Sequence, residues 1–240
     1  MGHKDILLKG KGTSGAQLEY VFMYPKEPAI NGYISTDAKA KTITIAFKGT
    51  DTSSDLLTAL HVTLTSWPAN TASKVYSGAL NGYQTHGPAI VAEHKKLAAQ
   101  HPEYRSVITG HSLGALHATL YAFDNYGTMG SAPWEVITFA APKVGNDEFR
   151  RLWQAKGIPT ARVVNPLDIV VHWPFWGNEF CHVSPPVLID EKTQDTFRCT
   201  FDSTPDAPEI CQSQSKIPGI NLKEHGEFWG NDGTQLGPKN

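Results

Sequence analysis

Cysteine is scarce in this chain: only Cys181, Cys199 and Cys211, with no Cys-x-x-Cys and no ligand spacing that suits a bound metal. Cys199 and Cys211 bracket a stretch rich in Asp, Ser, Thr and Pro. That arrangement predicts a disulfide closing a surface excursion; the plainer alternative is three separate thiols. Long hydrophobic runs are missing too. The uncharged stretches carry His, Pro or several Thr and Ser, so none offers the roughly 18 apolar residues that a membrane span requires. The opening MGHKDILLKGKG has no apolar core of the kind a secretory signal needs, and Ile6 stands where a myristoylation motif requires Ser or Thr. It reads either as the start of a cytosolic protein or as a mature form behind an added start. Charge of one sign is also lacking: 21 Lys and Arg face 23 Asp and Glu, for a net charge of -2. Nothing in that balance supports nucleic acid or an anionic surface as a partner. There is no internal repeat and no low-complexity segment.

What remains is a globular composition, 40% hydrophobic and 18% charged, long enough for one sizeable domain. Short β-rich runs come first: LEYVFMY from Leu18, GYIST from Gly32 and KTITIAF from Lys41. GPAIVAEHKKLAAQH predicts a helix with Pro88 in its first turn and Ile90, Val91, His94, Leu97 and Ala98 on one face. SVITG reads as a buried strand. A helix follows, with Leu113, Leu116, Leu120 and Phe123 on one stripe. EVITFAAP and ARVVNP are further strand candidates. Helices set between apolar strands predict an α/β sheet.

Gly110-His111-Ser112-Leu113-Gly114 forms a G-x-S-x-G pentapeptide between a strand and a helix. That is where a nucleophilic serine sits on a strained turn, with glycines letting strand and helix approach. A serine capping the helix is the plainer alternative, but a cap needs no glycine on both sides. A serine hydroxyl requires a base, and the base an orienting acid. Asp168, in NPLDIVVHWP just past a predicted strand, and His225, in EHGEFWG, follow Ser112 in the order Ser, acid, His. Spacing alone leaves Asp168 open as an Asx-turn residue and His225 as an exposed loop histidine. His111 and His117 lie too near the serine in sequence to act as its base and read as core or surface residues.

Six segments, in order, are similar to those of the class 3 lipase family, the filamentous-fungal lipases and their feruloyl esterase relatives. They are ITIAFKGT, VYSGALNGYQ, VITGHSLGAL, FAAPKVGNDEF, VVNPLDIVVHWP and EHGEFW. The resemblance runs from about Gly32 to Trp229. It implies a single α/β-hydrolase domain over residues 1–240, with a mostly parallel sheet flanked by helices. It implies Ser112, Asp168 and His225 as a catalytic triad and Thr50 and Leu113 as oxyanion donors, with no metal or organic cofactor. It also implies a secreted monomer that acts on an ester at a lipid–water interface, its leader or pro-segment being absent from this chain.

The chain departs from the family at Lys48 for Arg, Ala115 for Gly and Phe228 for Tyr, and the usual N-terminal helix is short or missing. His182 matches a family histidine of structural type. Residues 51–68, DTSSDLLTALHVTLTSWP, stand where such lipases carry a lid. Leu56, Leu57, Leu60, Leu64 and Trp67 would form its apolar underside, although HVTLTSW also alternates as a strand does. Acylglycerols are the first expected substrate and feruloyl esters the second. A catalytically silent binding relative and an acyltransferase are the rival readings.

Overall fold

The computed structural model describes residues 15–24, 26, 29–49, 63–69, 71–130, 132–174, 179–189, 196–199, 221–228 and 231–232. In chain order their elements are β1 (Ala16–Tyr24), β2 (Ile30–Asp37), β3 (Thr42–Phe47), β4 (Leu64–Ser66), β5 (Lys74–Tyr76), α1 (Ser77–Gln100), β6 (Arg105–His111) and α2 (Leu113–Asn125). Then come β7 (Trp134–Phe139), α3 (Asp147–Lys156), β8 (Thr160–Val164), a 3-10 turn at Val170–His172, β9 (Pro186–Ile189) and β10 (Thr196–Arg198). A second 3-10 turn, Lys223–Gly226, leads into β11 (Glu227–Phe228) and β12 (Asn231–Asp232).

Eight strands form one sheet in the order β1-β2-β3-β6-β7-β8-β9-β10. β3, β6, β7, β8 and β9 run parallel, while β1 and β2 on one flank and β10 on the other pair antiparallel. A parallel pair cannot be joined by a tight turn and needs a crossover. α1, α2 and α3 supply three of them. The central strands are apolar because both faces are covered; Ile43, Ile45, Ile108 and Val136 are fully buried. The α/β sheet expected from the sequence is therefore present.

Three local expectations are corrected. α1 begins at Ser77, so Pro88 lies inside it and not in its first turn. An interior proline costs about 3 kcal/mol or more. Here Ala79, Leu80 and Tyr83 before it and Ile90, His94 and Leu97 after it are buried on one long packed face, which offsets that cost. α2 is not a one-stripe helix: Ala115, Ala118, Tyr121 and Ala122 are as buried as Leu116 and Leu120. It is packed between the sheet and α1. The end of the expected lid packs against the core. Leu64–Ser66 is a strand paired with β5, and Trp67 packs on Phe123 at 5.2 Å and on Phe149 and Tyr83 just beyond. The alternation in HVTLTSW, not the helical spacing, describes that end. Leu57 and Leu60 lie outside the described residues, as does Cys211. Cys181 carries a free thiol, and Cys199 is buried with Ala140, Val164, Val171 and Leu188.

Two buried histidines make the fold acid-sensitive. His94 lies on α1 between the Tyr121 hydroxyl, 2.8 Å from its Nδ1, and the Ser106 hydroxyl, 2.9 Å from its Nε2. His117 on α2 is buried as well. Burial pushes the pKa of each down to about 4. The unfolded chain therefore takes up these protons first, near the ordinary value of about 6.5. The neutral pair stabilises the fold fully above that value, and the contribution is lost as pH falls toward 4. We expect urea melts to show stability falling by up to about 7 kcal/mol over this window, about half of it from each ring. His94→Gln should make that fall shallower by about one proton's worth; an unchanged slope would count against the assignment.

Candidate active site

Strand β6 delivers His111 and then the chain turns sharply at Ser112 into α2. Ser112 has φ 58° and ψ -125°, a region that costs a residue with a side chain about 1–3 kcal/mol and persists only where neighbours impose it. The neighbours are plain. The Ser112 N–H donates to the Phe139 carbonyl at 3.0 Å, and the Ser112 carbonyl accepts from Ala115 N–H at 3.0 Å. A Cβ on Gly114 would sit 2.2 Å from the Phe47 carbonyl, and one on Gly110 would sit 2.3 Å from the Gly114 carbonyl. The two glycines of the pentapeptide are what let helix and strand close on the serine.

The capping alternative fails on geometry. The Ser112 side chain makes no cap hydrogen bond, and its Oγ is buried without a hydrogen-bond partner. Leu113 is the first residue of α2. Its N–H belongs to the unpaired positive end of the helix, which favours developing negative charge. Thr50 lies outside the described residues, but Gly49 before it passes close to the elbow. A Cβ there would be 2.7 Å from the His111 carbonyl and 3.2 Å from Ser112 Cβ.

The structure brings Asp168 and His225 together from 57 residues apart in sequence. Asp168 is fully buried. Its Oδ2 accepts the His225 Nδ1–H at 2.9 Å, while its Oδ1 accepts the Val170 N–H at 2.8 Å. One oxygen thus makes the Asx-turn, and the other is committed to His225. His225 is not a loop histidine in solvent, since its side chain is only 12% exposed. With Nδ1 protonated and engaged, the neutral ring leaves a lone pair on Nε2, as a general base requires. That Nε2, like Ser112 Oγ, is buried without a hydrogen-bond partner.

Sequence reasoning missed the residues that mount this pair. Asn165 Oδ1 accepts from Leu167 N–H at 3.0 Å, and its Nδ2 donates to Glu224 Oε2 at 3.1 Å. Asn221 bridges backbone to backbone with the acid loop through Leu167 and Ile169. His172 Nε2–H donates to the Pro166 carbonyl and His182 Nε2–H to the Val171 carbonyl, which gives His182 the structural role the resemblance implied. Burial lowers the pKa of both, His182 far below its ordinary value, so neither adds a cation near the acid. His111 Nε2–H donates to the backbone carbonyl of His225 at 2.7 Å. The sequence did carry a signal for His172 and His182, since each sits in an apolar run where a charged ring would be costly.

A mostly parallel sheet with a serine elbow after a central strand, and with an Asp and a His delivered later in the chain, defines the α/β-hydrolase fold. The sequence model described as Lipase (class 3) matches residues 44–178. A lipase of Rhizopus niveus is 30% identical over 212 residues, covering 86% of this chain and 53% of that protein. The secreted mono- and diacylglycerol lipase A of Penicillium cyclopium is 28% identical over 177 residues, covering 74% of this chain and 57% of that protein. The solved triacylglyceride lipase of Rhizomucor miehei superposes with a TM-score of 0.81 at 28% identity, covering 92% of this chain and 83% of that one. The chain belongs to the class 3 lipase family. It spans about half the length of the curated relatives it matches.

The contact at Gly114 yields a direct test. Gly114→Ala places a methyl group against backbone, where no side chain can give way. We expect a loss of about 1–3 kcal/mol, read as a lower melting temperature. A variant as stable as the parent would show that α2 does not press on β3 as described.

Proposed function

We propose that this chain is a serine carboxylic-ester hydrolase that cleaves acylglycerols through an acyl-enzyme. The observation that carries it is that two buried atoms are left unpartnered, Ser112 Oγ on its strained turn and His225 Nε2 on an imidazole held by Asp168. Leaving two such atoms unsatisfied costs about 1–3 kcal/mol each. That cost makes sense where a substrate and a proton transfer complete them.

In this mechanism His225 Nε2 takes the Ser112 proton as Oγ attacks the ester carbonyl. Asp168 holds the imidazolium in register. The developing oxyanion meets the Leu113 N–H and that of Thr50, a role that the approach of Gly49 to the elbow supports. His225 then returns the proton to the departing alkoxide. Water, deprotonated by the same ring, releases the acid and restores Ser112. No step calls on a metal or an organic cofactor. The named relatives support acylglycerols as the substrate class, and the Penicillium lipase supports a secreted protein. No helix among the described residues is long and apolar enough to cross a membrane. We assign the apolar underside of a lid to Leu57 and Leu60. We pair Cys199 with Cys211, a pairing that the disulfide state of Cys199 and the free thiol of Cys181 support.

Two measurements check this reading. Ser112→Ala should abolish hydrolysis of p-nitrophenyl butyrate and leave the melting temperature near the parent's. Asp168→Asn should cut kcat by about 10³–10⁴. Persistent turnover by the serine variant would overturn the assignment. Tributyrin and methyl ferulate assayed in parallel decide the substrate: faster tributyrin cleavage with a jump above its solubility limit supports a lidded lipase, whereas preference for the ferulate would give the esterase reading instead. Separately, peptide mapping without reductant should recover Cys199 linked to Cys211; three alkylatable thiols would refute the pairing.

A further inference from the structure

The residue before the nucleophile is chemically idle in the mechanism above, yet it touches the base. His111 Nε2 lies 2.7 Å from the backbone oxygen of His225. A carbonyl can only accept, so His111 must carry its proton on Nε2. Its ring also lies against the His225 ring, with centroids 4.6 Å apart at an interplanar angle of 43°. We propose that His111 is a positioning residue for the reaction, fixing the distance between nucleophile and base by tying the base's backbone to the serine's own strand. The inference rests on the serine-hydrolase reading.

The mechanical logic is short. Ser112 and His225 come from segments 113 residues apart, and Ser112 Oγ makes no hydrogen bond to the base that would hold the two together. Asp168 fixes the outer nitrogen of the imidazole, and Asn221 ties the base segment to the acid loop. Those contacts register His225 against the acid. The His111 bond registers it against the serine, because His111 is covalently joined to Ser112 and its backbone is paired with Phe139 of β7. A shift of about 1 Å between reacting groups can cost on the order of 100-fold in rate, so a bond that removes this freedom acts on kcat.

The ring must also stay uncharged. A second cation beside His225 would oppose formation of the imidazolium. Burial, reinforced by the nearby His225, lowers the His111 pKa, although the bond to the His225 carbonyl and the charge of Asp168 pull the other way.

Three variants separate the donor from the ring. In His111→Gln the side-chain amide nitrogen falls near the old Nε2 and can donate to the same carbonyl. His111→Asn is one bond shorter and falls short of it. His111→Phe keeps the ring and loses the donor. With p-nitrophenyl butyrate, kcat is expected to fall about ten-fold in the Phe and Asn variants, KM staying within about two-fold, while Gln recovers most of the rate. The rate of Ser112 labelling by a fluorophosphonate should follow the same order. In a His225→Ala background the Phe and Gln substitutions should cost equally, since no base remains to be positioned.

Full kcat in both the Phe and Asn variants overturns the inference, and so does an equal loss in all three. A Phe variant that fails to fold leaves the Asn and Gln pair to decide by the same criterion. Failure of the underlying reading looks different: the unsubstituted enzyme would be inactive, or Ser112→Ala would remain active, whatever stands at position 111.

Discussion

The contact between Gly114 and the Phe47 carbonyl governs the working end of this molecule. Only a hydrogen fits there; a Cβ would lie 2.2 Å from the oxygen. The first turn of α2 can therefore press directly on the end of β3. β3 and β6 are paired in register at that level, Phe47 opposite Gly110. With the strand ends fixed and the helix this close, the connection has room for one residue, and Ser112 takes it at φ 58°. The same closeness carries the chain leaving β3 past the elbow, so that Gly49 runs against the His111 carbonyl. Candidate nucleophile and candidate oxyanion segment are thus two results of one packing constraint.

Hydrogen bonds hold the segments that carry Asp168 and His225. Asp168 commits one oxygen to its own loop and the other to His225. Asn165 ties the acid loop to Glu224, next to the base. His172 and His182 spend Nε2–H donors on the backbone that carries the acid. Ser112 Oγ and His225 Nε2 have no partner, as is also true of a few other buried atoms such as His117 Nδ1, Trp134 Nε1, Arg162 Nη1 and Ser184 Oγ. Buried polar groups are ordinarily satisfied, and of these atoms Ser112 Oγ alone also sits on backbone at positive φ, a local cost in stability that the proposed reactivity would explain.

What could be read from the sequence divides along this line. The elbow was legible because its demands are local: glycines, a serine and a strand–helix change within five residues. Asp168 and His225 were not fixed by spacing, because the contact between them spans 57 residues and depends on the topology of the sheet. Only the resemblance to a family supplied their roles. The start of α1 differs because a proline is a local helix-start signal, and at Pro88 long-range packing overrides it. Trp67 was assigned to a lid because five apolar residues fell at near-helical spacing, yet its ring belongs to the cluster of Phe123 and Phe149. His111 was set aside as too near the serine to be its base. Nearness that disqualifies a base is what suits a residue to hold one.

The position of Trp67 has a consequence for how substrate choice is built. Its aromatic partners Phe123 and Phe149 lie on α2 and α3, and β4 before it is paired with β5. The Ser77 N–H donates to the Thr63 carbonyl at 2.9 Å, so the segment is secured from Thr63 onward. Whatever residues 51–62 contribute to substrate selection, their downstream end is anchored in the core and not on the triad. On the proposed reading, the elbow and the segment entering at Thr63 are held by separate contacts, as expected of a fold whose binding loops are borne on a rigid scaffold.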